Sequence, residues 1–400
     1  MGVFTSATGG KERTAARMKA ILILAMIAVA ASVAGCKEFT GPAAPYPKSD
    51  VIAGIEWDFD SHQRSGEGSD LWYTTWCSDN KLYSAWGDGC GFGACDDSGP
   101  LRASLGVSRV EGTPPNWNGR NVWGGLDPLS DQDPVLGKPS GILCVDHSIY
   151  LFAKKQDTWD QLRVITSHDL GKTWNVGEFD FGFPLDALSP IQFGRDYLGG
   201  PSHVYFYFLL NGYQTNENEH LGLARVPKDK IEKRNAYEFF AGTSRNEALW
   251  SKDAADRKAI FTNPGGDMGF GIAAMYHADL DRYLLTTRHN ENAGWGFYEA
   301  PDPWGPWRTV SYYQECWKDC YTKFSFVLTP KWITQDGRHF WMIFSGHPEY
   351  DSYNHLKGKF KFRDRHNSRG DSCRSQSSGA PRASKNRRLH SSVSNNDHRR

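Results

Sequence analysis

The sequence lacks a net charge, carrying 46 Lys and Arg against 46 Asp and Glu in 400 residues. It lacks Cys-x-x-Cys and His-x-x-x-His pairs, and Gly265-Gly266-Asp267-Met268-Gly269 has neither the Lys of a phosphate loop nor the glycine spacing of a dinucleotide site. These absences argue against a zinc centre and a bound nucleotide, and no cofactor or metal is expected. Long apolar runs are also absent, except for Ala20 to Gly35. Sixteen residues rise only about 24 Å as a helix, less than a bilayer core, so a polytopic membrane protein is excluded. With 39% apolar and 23% charged residues, the chain has the means to build a core.

The zero balance conceals three regions. Residues 1 to 35 have four basic and one acidic side chain (+3), and residues 361 to 400 have eleven and three (+8), which leaves −11 for the middle. All fifteen Trp, from Trp57 to Trp341, lie in that acidic middle. Neutralising phosphates needs a basic surface, so nucleic acid is not expected as a partner. Carboxylates among many Trp and Tyr suit uncharged polyols, whose ring faces stack on aromatics while their hydroxyls bond to acids.

Met18-Lys19, the apolar run and Val33-Ala34-Gly35-Cys36 read in that order as an export signal. The last four resemble the bacterial lipobox, with Val where Leu is commonest, which implies lipidation of Cys36. Residues 1–35 are read as the signal region, with Met18 as an alternative start, and 36–49 as a tether. The expected location is the bacterial cell envelope, as an outer-membrane lipoprotein or a periplasmic or extracellular protein, with the lipid as its membrane contact. The tail 363–400 has nine Ser, ten Lys and Arg and no Trp or Tyr, a composition that cannot offset its ordering entropy. It is expected to be disordered.

Between 50 and 362, short β-branched and aromatic runs alternate with Gly, Asp, Asn and Pro. Leu71 to Trp76 and Lys81 to Trp86 form one predicted hairpin, and Gly141 to Val145 and Ser148 to Ala153 another. Helices are predicted only at Lys228 to Arg234 and Ala254 to Lys258. Ser167-His168-Asp169-Leu170-Gly171-Lys172-Thr173-Trp174 fits the Asp-box pattern S-x-D-x-G-x-x-W, in which Asp closes a hairpin by bonding amides and Trp packs inward. It is a structural mark of propeller blades. About 310 residues in blades of about 60 predict an all-β, five-bladed β-propeller of four-stranded antiparallel blades.

Asp70-Leu71-Trp72-Tyr73-Thr74-Thr75-Trp76, followed by Leu82-Tyr83-Ser84-Ala85-Trp86-Gly87-Asp88-Gly89, resembles the opening of a bacterial family long described as a domain of unknown function, some members of which are endo-D-arabinanases. Ser104 to Val110, Ala224-Arg225-Val226-Pro227, Tyr237 to Gly242, Tyr298-Glu299-Ala300-Pro301 and Pro303 to Trp307 continue the resemblance in order. It implies a five-bladed propeller, glycoside hydrolysis for part of the family, and two catalytic aspartates in the first blade, here Asp70 and Asp88. The basic tail lies outside the family's pattern.

Glycoside hydrolysis needs two carboxyl groups flanking the scissile bond. If Trp76 lies opposite Lys81, Asp70 faces Gly87 and Asp88 is one step on, so both leave the same end of one hairpin. Substrate-contact candidates are Trp72, Trp123, Gln192, Arg288 and His289, the last two followed by Asn290. Burial is the competing reading for the Trp residues, including Trp76 and Trp86. Asp79, Asp146 and Asp169 are assigned to turns, and Asp96-Asp97 to a solvated loop. Beyond Cys36, seven Cys remain. Cys90 with Cys95 and Cys316 with Cys320 are read as small-loop disulfides, Cys77 with Cys144 as a bridge between blades, and Cys373 as free.

The expected function is a monomeric glycoside hydrolase acting on a polysaccharide, arabinan-like or related. The competing readings are a non-catalytic carbohydrate-binding propeller and a sialidase-like enzyme. The last needs an arginine cluster and a Tyr- or Phe-Arg-Ile-Pro signature, which the sequence lacks.

Overall fold

The computed structural model describes residues 44–93, 103–124, 135–213, 218–289, 294–314, 325–346 and 351–363. Cys36, Cys95, Asp96, Asp97, Asn290, Cys316, Cys320, Cys373, the signal region and the tail lie outside them. The described chain is all-β, with 23 strands. Where helices were predicted it has only 3-10 turns, at Lys228–Lys230, Arg234–Ala236 and Ala254–Asp256. Those segments are too short for the 3.6-residue repeat to bury a helical face.

The strands run as successive antiparallel meanders. After β1 (Ile52–Ser65), the first comprises β2 (Asp70–Trp76), β3 (Leu82–Gly89), β4 (Ala103–Thr113) and β5 (Asn116–Gly124). The second holds β6 (Lys138–Val145), β7 (Ser148–Lys154) and β8 (Gln161–Ser167), flanked by the two-residue β9 (Asn175–Val176) and β10 (Phe181–Gly182). The third holds β11 (Ser189–Gln192), β12 (His203–Leu209), β13 (His220–Pro227), β14 (Glu238–Ser244) and β15 (Glu247–Ser251), with β16 (Phe261–Thr262) beside β13. The fourth holds β17 (Ala273–His277), β18 (Arg282–Arg288), β19 (Trp295–Ala300) and β20 (Arg308–Tyr313). In the last, β21 (Phe326–Ile333), β22 (His339–Ser345) and β23 (Tyr353–Phe362) are completed by β1. The number of strands per meander therefore varies from the uniform four expected.

The first strands of the meanders form a closed ring, because β2, β6, β11, β17 and β21 each touch the next and β21 returns to β2. Four of the five links have a visible cause. The Cys144 amide donates to Thr75 Oγ1 at 2.9 Å, Gln192 Nε2 to Ile142 O at 2.7 Å, and β11 pairs in parallel with β17 through Ile191 and Ala274. Ser325 Oγ donates to Leu71 O, which closes the circle. Alternation along the strands places three apolar clusters between the sheets.

Chain closure is the work of β1. Ile52 pairs with Phe362 and Ser65 with Tyr353, while Trp57 Nε1 donates to Tyr313 OH at 3.0 Å. A disulfide joins Cys77 at the end of β2 to Cys144 in β6, as the sequence reading expected. Cys90 is also disulfide-bonded. In the turn after β8, Asp169 Oδ1 accepts from the Lys172 and Thr173 amides and from Ser167 Oγ, and Oδ2 from Thr173 Oγ1. Burial raises its carboxyl, but these bonds outweigh that and bring it to about 2.

Candidate functional site at one end of the strand ring

The β2–β3 hairpin sets Asp70 opposite Gly87, the predicted pairing, but by another route. Trp76 lies opposite Leu82 rather than Lys81, and the register slips by one residue between Tyr73 and Asp70. That slip is a bulge, with Leu71 and Trp72 both at positive φ (72° and 51°). The two departures cancel. Asp88 follows at φ 41°, so it and Asp70 leave the same end of the hairpin.

The two carboxyl groups have different surroundings. Asp70 is 7% exposed, whereas the Asp88 side chain is 44% exposed and ion-paired to Lys138 Nζ. Lys138, the first residue of β6, also donates to Ser104 O at 3.1 Å. A Cβ at position 87 would lie 2.7 Å from Asp70 Oδ1 and 3.3 Å from Lys138 Cδ. Gly87 is therefore the gap through which the Asp70 carboxyl and the Lys138 stem approach each other.

Behind Asp70, Tyr73 donates its hydroxyl to Phe270 O. Burial, reinforced by Asp70 and Tyr213, pushes the Tyr73 phenol far up, so it stays a proton donor. Across the ring, Arg288 pairs with Asp267, which also accepts from Asn218 Nδ2 at 2.9 Å. Between these groups lies a feature the sequence reading missed. Lys154 Nζ, on a fully buried side chain, sits 3.4 Å from the ring centroids of both Tyr213 and Phe270 and 5.2 Å from Trp159. Asp186 is 2% exposed and accepts from the Tyr213 amide at 3.1 Å. Burial lowers the Lys154 amine well below its ordinary value and raises Asp186 to about 6. A signal existed in Leu185-Asp186-Ala187-Leu188, an acid inside an apolar run, and in Lys154 closing the apolar Ile149 to Ala153.

The remaining candidates are dispersed. Trp72 is fully buried, its indole packed among Trp86, Phe92 and Tyr353 and its Nε1 donating to Ser69 O, so it presents no face to a ligand. Trp123 is buried and stacks on Trp174. Gln192 spends its amide on the β6 backbone beside an axial cavity of about 10 Å³ that Gly141, Pro190 and Ala274 narrow. His289 is buried and stacks on Tyr312 at 4.1 Å, and desolvation lowers its ring to about 4. Arg288, paired with Asp267, acts on the Tyr73 phenol, as Asp70 does. Asp79 accepts from the Lys81 amide and the Tyr83 hydroxyl, and Asp146 sits at φ 48° in the β6–β7 turn. Among the described residues, no group of three or more His, Cys, Asp or Glu is placed to hold a metal ion.

No curated protein sequence matches the chain. Among solved structures, it is similar to a GH43_1 enzyme from Xanthomonas citri, at 13% identity and TM-score 0.44 over 76% of this chain and 91% of that one. It is also similar to Zg3597, a family 117 glycoside hydrolase of Zobellia galactanivorans, at 12% identity and TM-score 0.43 over 78% and 92%. A protein of unknown function from Dyadobacter fermentans gives 10% and 0.43 over 78% of this chain and 100% of that one. A family profile covers more than half of the chain, residues 132–355, from just before the Lys138 that meets Asp88 to the His355 of the closing sheet, and by that match the chain belongs to the family described as domain of unknown function DUF4185.

Proposed function

We propose that the chain is a five-bladed β-propeller glycoside hydrolase, acting on an arabinan-like or related polysaccharide, with Asp70 and Asp88 as its acid/base pair. The observation that carries this reading is that two carboxyl groups leave one hairpin end in unlike surroundings, Asp70 buried and Asp88 exposed beside Lys138. Paired carboxyls in unequal environments are what general acid and general base roles require. The hairpin precedes the profile-matched residues 132–355, so the assignment of the pair stands on the motif resemblance and on this geometry. The five meanders, with inner strands in a ring, are the proposed blades.

The deciding experiment is to incubate the protein with plant and bacterial polysaccharides, D-arabinan among them, and to follow new reducing ends. Asp70→Asn and Asp88→Asn should each keep the fold and lower cleavage by more than about a hundredfold. The double variant should lose little more than the worse single one, because the pair acts as a unit. Full activity in either single variant would move the chemistry elsewhere. A parent protein that binds glycans and cleaves none would favour a carbohydrate-binding propeller. Export with lipidation at Cys36 is part of the same proposal, and Cys36→Ser should release the protein from the membrane fraction.

A further inference from the structure

Lys154 and Asp186 each bury an ionisable group, which is destabilising unless it is compensated. Three aromatic faces surround the Lys154 ammonium, and Nζ has no hydrogen-bond acceptor among the described residues. Cation–π attraction offsets part of the cost but accepts none of the three N–H donors. On Asp186, Oδ2 takes the Tyr213 amide, while Oδ1 has no partner among the described residues. Tyr213 thus serves both groups, its backbone binding the acid and its ring covering the amine. Such unsaturated groups at the core of a structural element are expensive. A site that must gain and lose a proton needs them.

The compartment is connected to Asp70. Phe270, one wall of the Lys154 cage, accepts the Tyr73 hydroxyl through its carbonyl, and Tyr73 is three residues along β2 from Asp70. The charged and titratable groups facing the pair are Asp160 from the β7–β8 turn, Tyr213 after β12, and Asp267 and Arg288 from the β16–β18 side; Tyr213 and Arg288 act in turn on Tyr73, which also feels Asp70.

We propose that Lys154 and Asp186 are a positioning pair that titrates as one unit and sets the charge beside Asp70; its bearing on catalysis rests on the glycoside hydrolase reading. With both groups protonated the compartment carries +1, and when one proton leaves to solvent it carries zero. Neither group touches the substrate. The positive form favours the Asp70 carboxylate, and the neutral form returns proton affinity to it, so the pair places one limb of the pH–rate profile.

Carboxyl carbon NMR of the full chain with ¹³C-labelled Asp tests this without requiring turnover, the Asp186 signal being assigned by its loss in Asp186→Asn. The Asp186 signal should titrate near pH 6, and Asp70 should show an inflection at the same midpoint. Lys154→Met removes the favourable cation and should raise the Asp186 midpoint by about one unit or more. If that variant does not fold, the exposed Asp160→Asn should lower the midpoint instead, because Asp160 holds it up. With D-arabinan as the probe, the kcat limb should follow the midpoint while KM stays within about twofold. Titration of Asp186 near its ordinary value, a midpoint that ignores the replaced neighbour, or an Asp70 signal without the shared inflection would overturn the pair. A parent protein that cleaves no glycan would sink the hydrolase reading, and the NMR arm would still decide the pair.

Discussion

Lys138 reaches from the start of β6 to the Asp88 carboxylate at the end of β3, so one ion pair joins the second meander to the exposed member of the proposed acid pair. The contact fixes the direction of a side chain that sits in a Gly-Asp-Gly sequence, where the backbone alone would leave it free to turn. Charge-assisted bonds are worth about 1.5 to 3 kcal/mol. Lys138→Met should therefore keep the fold and lower kcat about tenfold or more, measured by reducing-end release. An unchanged kcat would remove Lys138 from the site.

Gly87→Ala tests the same corner by crowding it. The added methyl would meet Asp70 Oδ1 at 2.7 Å, closer than carbon and oxygen can approach. The variant is expected to lose more activity than stability, because the carboxyl must turn away while the hairpin ladder on either side remains paired. Paired thermal melts and cleavage rates would show it, and proportionate losses would contradict it.

The Cys77–Cys144 bridge closes a loop of 67 residues. Chain-entropy arguments put such a cross-link at about 4 kcal/mol. Cys77→Ala with Cys144→Ala should lower the stability of the protein by about 2 to 4 kcal/mol in denaturant titrations, with little change in cleavage rate because the bridge lies at the other end of β2 from Asp70.

His289 provides a pH signature. Its ring is held near 4, below the ordinary 6.5, because burial against Tyr312 disfavours the charged form. The unfolded chain takes up a proton below about pH 6.5, so this stabilisation is present above that value and is lost as pH falls toward 4. His289→Phe keeps a ring on Tyr312 and should show a smaller fall in thermal midpoint between pH 7.5 and 4.5. Up to roughly 3 kcal/mol of pH dependence is at stake. Equal slopes for parent and variant would contradict this.

The run Ile55-Glu56-Trp57-Asp58-Phe59-Asp60 alternates as a half-buried strand should, yet its role in closing the chain was not legible. Its partner, β23, lies some 300 residues away, and no local pattern names a partner at that distance. The Asp70–Gly87 pairing was correctly anticipated from turn arithmetic that a bulge then altered, since positive φ at Leu71 and Trp72 is imposed by packing and not by residue type. Trp72 and Trp123 show the opposite case. Composition identifies aromatics suited to sugars, but only burial tells which have a free face.

Strand class, hairpin ends and the acidic, aromatic character of the body were determined by the sequence itself, because period-two alternation, turn residues and charge are local properties that survive any arrangement of the strands. The ring closure, the meeting of Lys138 with Asp88 and the enclosure of Lys154 with Asp186 were decided only by the tertiary structure. Each brings together groups from separate meanders, and their chemistry depends on desolvation and proximity, which exist only once the sheets have packed.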